Sequence, residues 1–133
     1  KLPVLDLGYS AITLKQGAQL SITPQTLNYL GNEQTFETSG YSATIGDVRL
    51  LSNFTGQGIQ SEAATDANLA ATQTIGTSVS KTIIGTQFNI TATTVNTLFG
   101  TNTTLRSTLT VTGLDSGARL TIPVTITKQS LTQ

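Results

Sequence analysis

The last part of the chain contains two neighbouring segments in which apolar and polar residues alternate strictly. A period of two residues is the pattern of a β-strand with one buried face. Between the segments, Asp115, Ser116 and Gly117 have the composition of a tight turn, because Gly tolerates a positive φ and Asp can accept hydrogen bonds from the turn backbone. These features predict an antiparallel hairpin. The residues expected on its buried face are Leu105, Leu109, Val111, Leu120, Ile122, Val124 and Ile126.

The composition extends this prediction to the whole chain. Thr supplies about a fifth of the 133 residues, and a β-branched hydroxyl residue suits the solvated face of a strand. Charged residues make up only 11%, so Thr and Ser provide most of the polarity. We therefore predict an all-β fold, an immunoglobulin-like β-sandwich with at most one short helix.

Glycine and proline mark where the strands should end. Pro24 predicts a turn, Gly46 and Gly85 predict breaks between consecutive strands, and Pro123 predicts a sheet edge because its nitrogen cannot donate to a ladder. One segment departs from the β pattern. The Ala-rich stretch SEAATDANLAATQ, residues 61–73, begins with Ser61 as a candidate N-cap and predicts a short helix or helical turn.

Few catalytic chemistries are compatible with this sequence. It contains no His and no Cys, which excludes Ser-His and Cys-His nucleophile pairs, disulfides and thiolate metal sites. Its carboxylates are scattered singly along the chain, so a glycosidase would need a carboxylate pair assembled by the fold. The seven Lys and Arg are dispersed and the net charge is zero, which argues against nucleic acid as a partner. We predict no catalytic, cofactor or metal site.

Two features favour a secreted protein. The chain contains no Met, even at its first position, which predicts a mature protein released from a precursor by removal of a signal peptide. It also has no run of about 20 apolar residues, so membrane insertion of the mature chain is not expected. Three sequons of the form Asn-x-Ser/Thr then predict N-glycosylation at Asn53, Asn89 and Asn102.

The opening run, KLPVLDLGYSAITL, is apolar on both faces of the strand that it predicts. A terminal strand of this kind should be disordered unless it is paired. It can be the first strand of its own sandwich, or it can complete the sheet of a neighbouring copy. Sequence leaves both arrangements open. The run also contains the tetrapeptide GYSA, which recurs at residues 40–43 and suggests two strands with similar side-chain environments.

A Cys-free, charge-poor, Thr-rich β-domain with several sequons and an apolar N-terminal strand resembles the subunits of archaeal threads. These are thin glycosylated surface filaments of thermoacidophilic archaea, polymerised by donor-strand complementation. More distantly, the chain is similar to chaperone-usher pilins and biofilm-matrix fibre proteins. The likeness concerns the architecture of the whole chain. The lack of Cys departs from the many chaperone-usher pilins that have a disulfide.

The resemblance implies a pilin-like fold, with an extended donor strand at residues 1–14 and a single β-sandwich domain at residues 15–133. The partners that it implies are identical subunits and N-linked glycans. The donor-strand anchors that it implies are Leu2, Val4, Leu5, Leu7, Ile12 and Leu14. The expected function is a non-enzymatic subunit of an extracellular filament on the cell surface, for adhesion, cell contact or biofilm formation. A monomeric secreted binding module or a virion surface protein with the same sandwich is the alternative. The few carboxylates also predict stability that changes little in acid.

Overall fold

The computed structural model describes residues 3–28, 30, 34–35, 37–46, 51–57, 81–92, 99 and 101–129, with the backbone alone at 34–35, 51–57 and 81–82. These residues form strands and connecting turns with no helix, which confirms the predicted all-β class. The helix predicted at residues 61–73 lies outside the described residues.

Eleven strands are found in the described part of the chain. In chain order they are β1 (Val4–Asp6), β2 (Ile12–Lys15), β3 (Gln19–Ile22), β4 (Gln25–Leu27), β5 (Gln34–Thr35), β6 (Tyr41–Ile45), β7 (Leu51–Gln57), β8 (Lys81–Gly85), β9 (Gln87–Ala92), β10 (Thr104–Gly113) and β11 (Arg119–Thr127). The largest sheet has the order β2-β11-β10-β6-β8, and two three-stranded sheets have the orders β1-β4-β5 and β3-β9-β7. These neighbouring strands pair antiparallel, except β2 and β11, which are parallel.

One hydrophobic core lies between the sheets. The five-stranded sheet buries alternate residues of β10 and β11, as the period-two pattern predicts, and β9 buries Phe88, Ile90 and Ala92 in the same cluster. The predicted hairpin is confirmed, with Leu105, Leu109 and Val111 buried and opposite Ile126, Ile122 and Leu120. Full burial of a large apolar side chain contributes about 1.5–3 kcal/mol, so this cluster is the main source of stability.

The predicted strand breaks are confirmed at three positions. Thr23 and Pro24 separate β3 from β4, Gly46 follows the end of β6, and Thr86 separates β8 from β9 directly after Gly85. Each break falls where the sequence contains a residue that interrupts a regular ladder or tolerates an unusual backbone conformation.

Pro123 lies at a local edge of an otherwise internal strand. The carbonyl of Thr127 accepts a hydrogen bond from the backbone N–H of Gln16 at 2.8 Å, so alternate residues of β11 direct their backbone groups toward β2. Pro123 belongs to this set, but pairing with β2 begins only at Val124. The missing N–H therefore costs no ladder bond, and the predicted edge is confirmed at that position.

The opening run is not one strand. It forms β1, which pairs with β4, and β2, which pairs with β11 in a different sheet. Gly8 has a φ of 80° and begins a bend that extends to Ala11. The bend shifts the alternation, so odd-numbered residues are buried before it and even-numbered residues after it. The prediction of one continuous strand with two apolar faces was therefore wrong. The chain forms two strands with one buried face each, and the change from odd to even buried positions made both faces look apolar in the sequence.

Candidate functional site

The N-terminal segment supplies part of the core of its own chain. Of the six predicted anchors, Leu5, Leu7, Ile12 and Leu14 are buried, Val4 is 46% exposed, and Leu2 lies outside the described residues. The structure describes a single chain, and in it these residues pair with β4 and β11 of the same domain. Exchange of this segment between copies stays a prediction.

The segment is attached to the domain through a tight turn. The backbone N–H of Ala18 donates to the carbonyl of Lys15 at 2.9 Å, and Gly17 has a φ of 84°. This turn connects β2, at the edge of the five-stranded sheet, to β3 in another sheet. β1 and β2 both precede this turn in the chain, and the rest of the domain follows it, so one short connection joins the N-terminal segment to the domain.

A second site joins two loops that are far apart in the sequence. The carboxylate of Glu37 is 9% exposed and lies over the β10–β11 turn. Its Oε1 accepts hydrogen bonds from the backbone N–H groups of Asp115, at 3.0 Å, and Ser116, at 2.9 Å. Its Oε2 accepts a hydrogen bond from the Ser116 hydroxyl at 2.5 Å. Three donors of one loop thus converge on a single carboxylate of the other.

The contact is reciprocal. The carboxylate of Asp115 accepts hydrogen bonds from the backbone N–H of Ser39 at 2.7 Å, the Ser39 hydroxyl at 2.7 Å and the Thr38 hydroxyl at 2.9 Å. In addition, the N–H of Leu114 donates to the carbonyl of Gly40 at 3.0 Å. We refer to residues 37–40 and 114–116 together as the loop latch. It holds the turn before β6 against the tip of the β10–β11 hairpin.

Electrostatics favour the ionised form of both carboxylates. Burial by itself raises the pKa of Glu37, but hydrogen bonds from the Ser116 hydroxyl and N–H, the Thr26 hydroxyl and the Asp115 N–H outweigh it, so the pKa is lowered. The pKa of Asp115 is lowered chiefly by the backbone and hydroxyl of Ser39, then by the hydroxyl of Thr38. Burial raises the pKa of Tyr41, whose hydroxyl is 2.9 Å from the hydroxyl of Thr26.

The loop latch was not recognised in the sequence, where the carboxylates are scattered singly. The two loops share a pattern, an acid shortly before Ser-Gly in ETSG at residues 37–40 and in DSG at residues 115–117, but this pattern does not specify that they meet. The pair does not have the properties of a glycosidase site. A glycosidase acid needs a raised pKa, whereas both pKa values here are lowered and each carboxylate is occupied by donors of the opposite loop.

The three sequons lie in different settings. Asn102 is exposed in the loop before β10. Asn89 is half-buried in β9, and its Oδ1 accepts a hydrogen bond from the hydroxyl of Ser21 at 2.6 Å. Asn53 lies in β7 beside a register shift in the pairing with β9. Glycosylation at these positions stays a prediction. Of the two asparagines whose side chains are described, Asn102 is more accessible than Asn89.

Within the described residues there is no group of three or more acidic, His or Cys side chains that could hold a metal ion. Among the same residues, no helix has the length and apolar character needed to cross a membrane. No protein-family model matches the chain, and no curated protein matches it by sequence.

Proposed function

We propose that this protein is a non-enzymatic structural subunit of an extracellular filament, polymerised head to tail by exchange of its N-terminal segment. The observation that supports the proposal is the placement of residues 4–15. They insert four large apolar side chains into the core, yet they occupy a sheet edge and connect to the domain through one turn. Such a segment can be withdrawn and replaced by the same segment of another copy.

The energetics favour keeping this site filled. Burial of Leu5, Leu7, Ile12 and Leu14 contributes about 6–12 kcal/mol at about 1.5–3 kcal/mol for each side chain. A domain without the segment would expose an apolar groove and the unpaired edge of β11. The contacts are the same whether the segment comes from its own chain or from a neighbour, so exchange adds connectivity without the loss of core contacts. Donor and groove lie at different places on each copy, which makes an open polymer.

A monomeric secreted β-sandwich module is the second candidate. The observation that favours it is that β1 and β2 already pair within their own chain and satisfy the groove. In that case the N-terminal segment supplies the first two strands of its own domain, and the protein acts through its surface. The two candidates differ in one property, which is the copy that supplies the strand next to β11.

An engineered disulfide reports that property directly, because the natural chain has no Cys. Thr13 of β2 is the register partner of Thr125 of β11, so the double variant T13C/T125C places one Cys on each strand. In native assemblies we expect the filament to give a ladder of disulfide-linked multimers on non-reducing gels. Cross-linked monomers alone would contradict the filament proposal and support the monomeric module.

A matched control uses the hairpin. Thr110 and Thr121 are register partners with hydroxyl oxygens 2.8 Å apart, and both belong to the same hairpin. The variant T110C/T121C should therefore give intramolecular cross-links in either case. In a second arm, deletion of residues 1–14 should leave soluble subunits that accept the peptide KLPVLDLGYSAITL. Normal filaments from the truncated chain would also contradict the proposal.

A further inference from the structure

An open depression lies beside β11 where the N-terminal segment departs from the sheet. Pairing with β2 begins at Val124, so residues 120–122 have β10 as their only ladder partner among the described strands. The bend at residues 8–11 leaves a gap of about 510 Å³ between this part of β11 and the segment. Ligand sites typically have volumes of roughly 300–1,000 Å³, so the gap is large enough for a small ligand.

The lining combines one aromatic ring with several hydrogen-bonding groups. Tyr9 is 43% exposed and borders the depression together with Asp6, Ser10 and Thr121. Oδ1 of Asp6 accepts a hydrogen bond from the backbone N–H of Gly8 at 2.9 Å, which orients the carboxylate. The Thr121 hydroxyl is held by Thr110 at 2.8 Å. The depression thus places an exposed aromatic ring beside an oriented carboxylate and the hydroxyls of Ser10 and Thr121.

From this lining we infer that the depression binds a neutral saccharide. A pyranose ring has an apolar face of C–H groups that packs against an aromatic ring, and a rim of hydroxyls that donate to a carboxylate and exchange hydrogen bonds with Ser and Thr. The lining contributes a carboxylate from Asp6 and no Lys or Arg, so it disfavours an anionic sugar. The open shape admits one or two rings of a longer glycan.

Strand addition by a peptide fits this depression less well. The edge of β11 available to an added strand is short, and Pro123 at its end has no N–H to donate. The chemistry of the lining therefore favours a glycan over an extended peptide.

Sugar binding is independent of the polymerisation proposed above. One wall of the depression comes from the N-terminal segment and the other from β11, so the site forms wherever these two elements meet, within one chain or between copies. Measurement on the disulfide-locked monomer and on assembled protein separates the two proposals. A filament that binds no sugar would support the polymerisation proposal and contradict the sugar-binding proposal. A protein that is only monomeric but binds sugar would do the reverse.

The test uses the full-length protein with diacetylchitobiose, mannotriose and lactose as neutral probes, and a glucuronate-containing disaccharide as the anionic comparator. Binding is measured by titration calorimetry and by saturation-transfer NMR. We expect saturable binding of at least one neutral probe and weaker binding of the anionic one. Tyr9→Ala should weaken that binding at least about tenfold, because the aromatic contact is lost, and Asp6→Asn should weaken it several-fold while keeping the acceptor for Gly8.

Leu114→Ala is the matched control, since Leu114 is similarly exposed at 41% but lies at the hairpin tip. It should bind the probe as the natural chain does. Circular dichroism of each variant should match that of the natural chain, so that loss of binding is not loss of fold. The inference is overturned if no neutral probe of the panel binds, if Tyr9→Ala binds as tightly as the natural chain, or if an extended peptide competes for the site while sugars do not.

Discussion

The two GYSA segments have the same four residues but different structures. At residues 8–11 the tetrapeptide is an exposed bend, with Tyr9 43% exposed, whereas at residues 40–43 it begins the internal strand β6, with Tyr41 7% exposed. Both begin with a glycine of positive φ, 80° at Gly8 and 90° at Gly40. Local sequence thus determines the turn at the glycine, while the partners available beyond it decide whether a strand follows.

The partners differ in a way that can be named. β6 lies between β10 and β8, and its Tyr41 hydroxyl contacts the Thr26 hydroxyl at 2.9 Å. The segment at residues 8–11 has no ladder partner among the described strands and crosses from one sheet to another. The loop latch precedes only the second copy, where it holds the chain against the β10–β11 hairpin before β6 begins. Substitutions at equivalent positions of the two copies should therefore have unequal effects.

The largest difference is expected at the tyrosines. Tyr41→Ala should lower the free energy of unfolding by about 3–5 kcal/mol, because it leaves a cavity in the core and removes the hydrogen bond between the Tyr41 and Thr26 hydroxyls. Tyr9→Ala should change it by less than about 1 kcal/mol, since that ring is half exposed. Urea unfolding followed by circular dichroism measures both values. Equal losses would show that the first copy is packed as tightly as the second.

The glycines should differ by a smaller amount. A Cβ at either position meets the cost of a positive φ, about 1–2 kcal/mol. At Gly40 it would also lie 3.2 Å from the carbonyl oxygen of Gly85, whereas at Gly8 nothing lies within 4 Å. We therefore expect Gly40→Ala to destabilise by about 2–3 kcal/mol and Gly8→Ala by about 1–2 kcal/mol. Thermal unfolding of the two variants side by side checks the order, and a larger effect at Gly8 would contradict it.

The acids that precede the two copies should have the smallest individual effects. Glu37→Gln should destabilise by about 1–2 kcal/mol at pH 7, because it weakens three hydrogen bonds to the β10–β11 turn. Asp6→Asn should have an effect within about 0.5 kcal/mol, since the exposed Asp6 accepts one hydrogen bond that Asn can also accept. The two variants are compared by urea unfolding at pH 7.

The pH dependence of the Glu37 variant sharpens this prediction. A carboxylate whose pKa is lowered by folding stabilises the protein above its unfolded pKa, ordinarily 4.5 for Glu, and that contribution is lost as the pH falls through the folded pKa. The difference between Glu37→Gln and the natural chain should therefore be full above about pH 5 and shrink toward pH 2. A difference that stays constant over this range would show that ionisation of Glu37 does not contribute.

Asp115 acts in the same direction, because its pKa is also lowered. The sequence predicted a protein whose stability changes little in acid, on the ground that carboxylates are few. The loop latch is an exception to that expectation, because both of its carboxylates have lowered pKa values. Loss of stability below about pH 4 should begin at the contact between residues 37–40 and 114–116.

The predictability of each element depends on the range of the interactions that form it. The β10–β11 hairpin was predicted correctly because the alternation and the Asp115-Ser116-Gly117 turn are close in sequence. The ends of β3, β6 and β8 were predicted from single Pro and Gly residues for the same reason. The bend at residues 8–11 was missed, although Gly8 lies at its start, because the apolar residues on both sides also fit a continuous strand.

The loop latch and the parallel pairing of β2 with β11 were beyond sequence reasoning. The partners Glu37 and Ser116 are 79 positions apart, and neither loop has a composition that specifies the other. Likewise, nothing local to residues 12–15 selects residues 124–127 over another strand edge. The depression lined by Tyr9 and Thr121 exists only because that pairing stops at Val124.

The sequence by itself determined the all-β class, the buried faces of β10 and β11, and the strand breaks at Pro24, Gly46 and Gly85, because these depend on residue type and on spacings of a few residues. The tertiary structure alone decided which strands became neighbours and which copy of GYSA became a strand. It also decided that Glu37 and Asp115 accept hydrogen bonds from each other's loop. Hydrophobic burial is non-directional, so a period-two pattern specifies that a face is covered but not what covers it. Hydrogen bonds between distant loops then select one arrangement, since their donors and acceptors must meet in geometry as well as in kind.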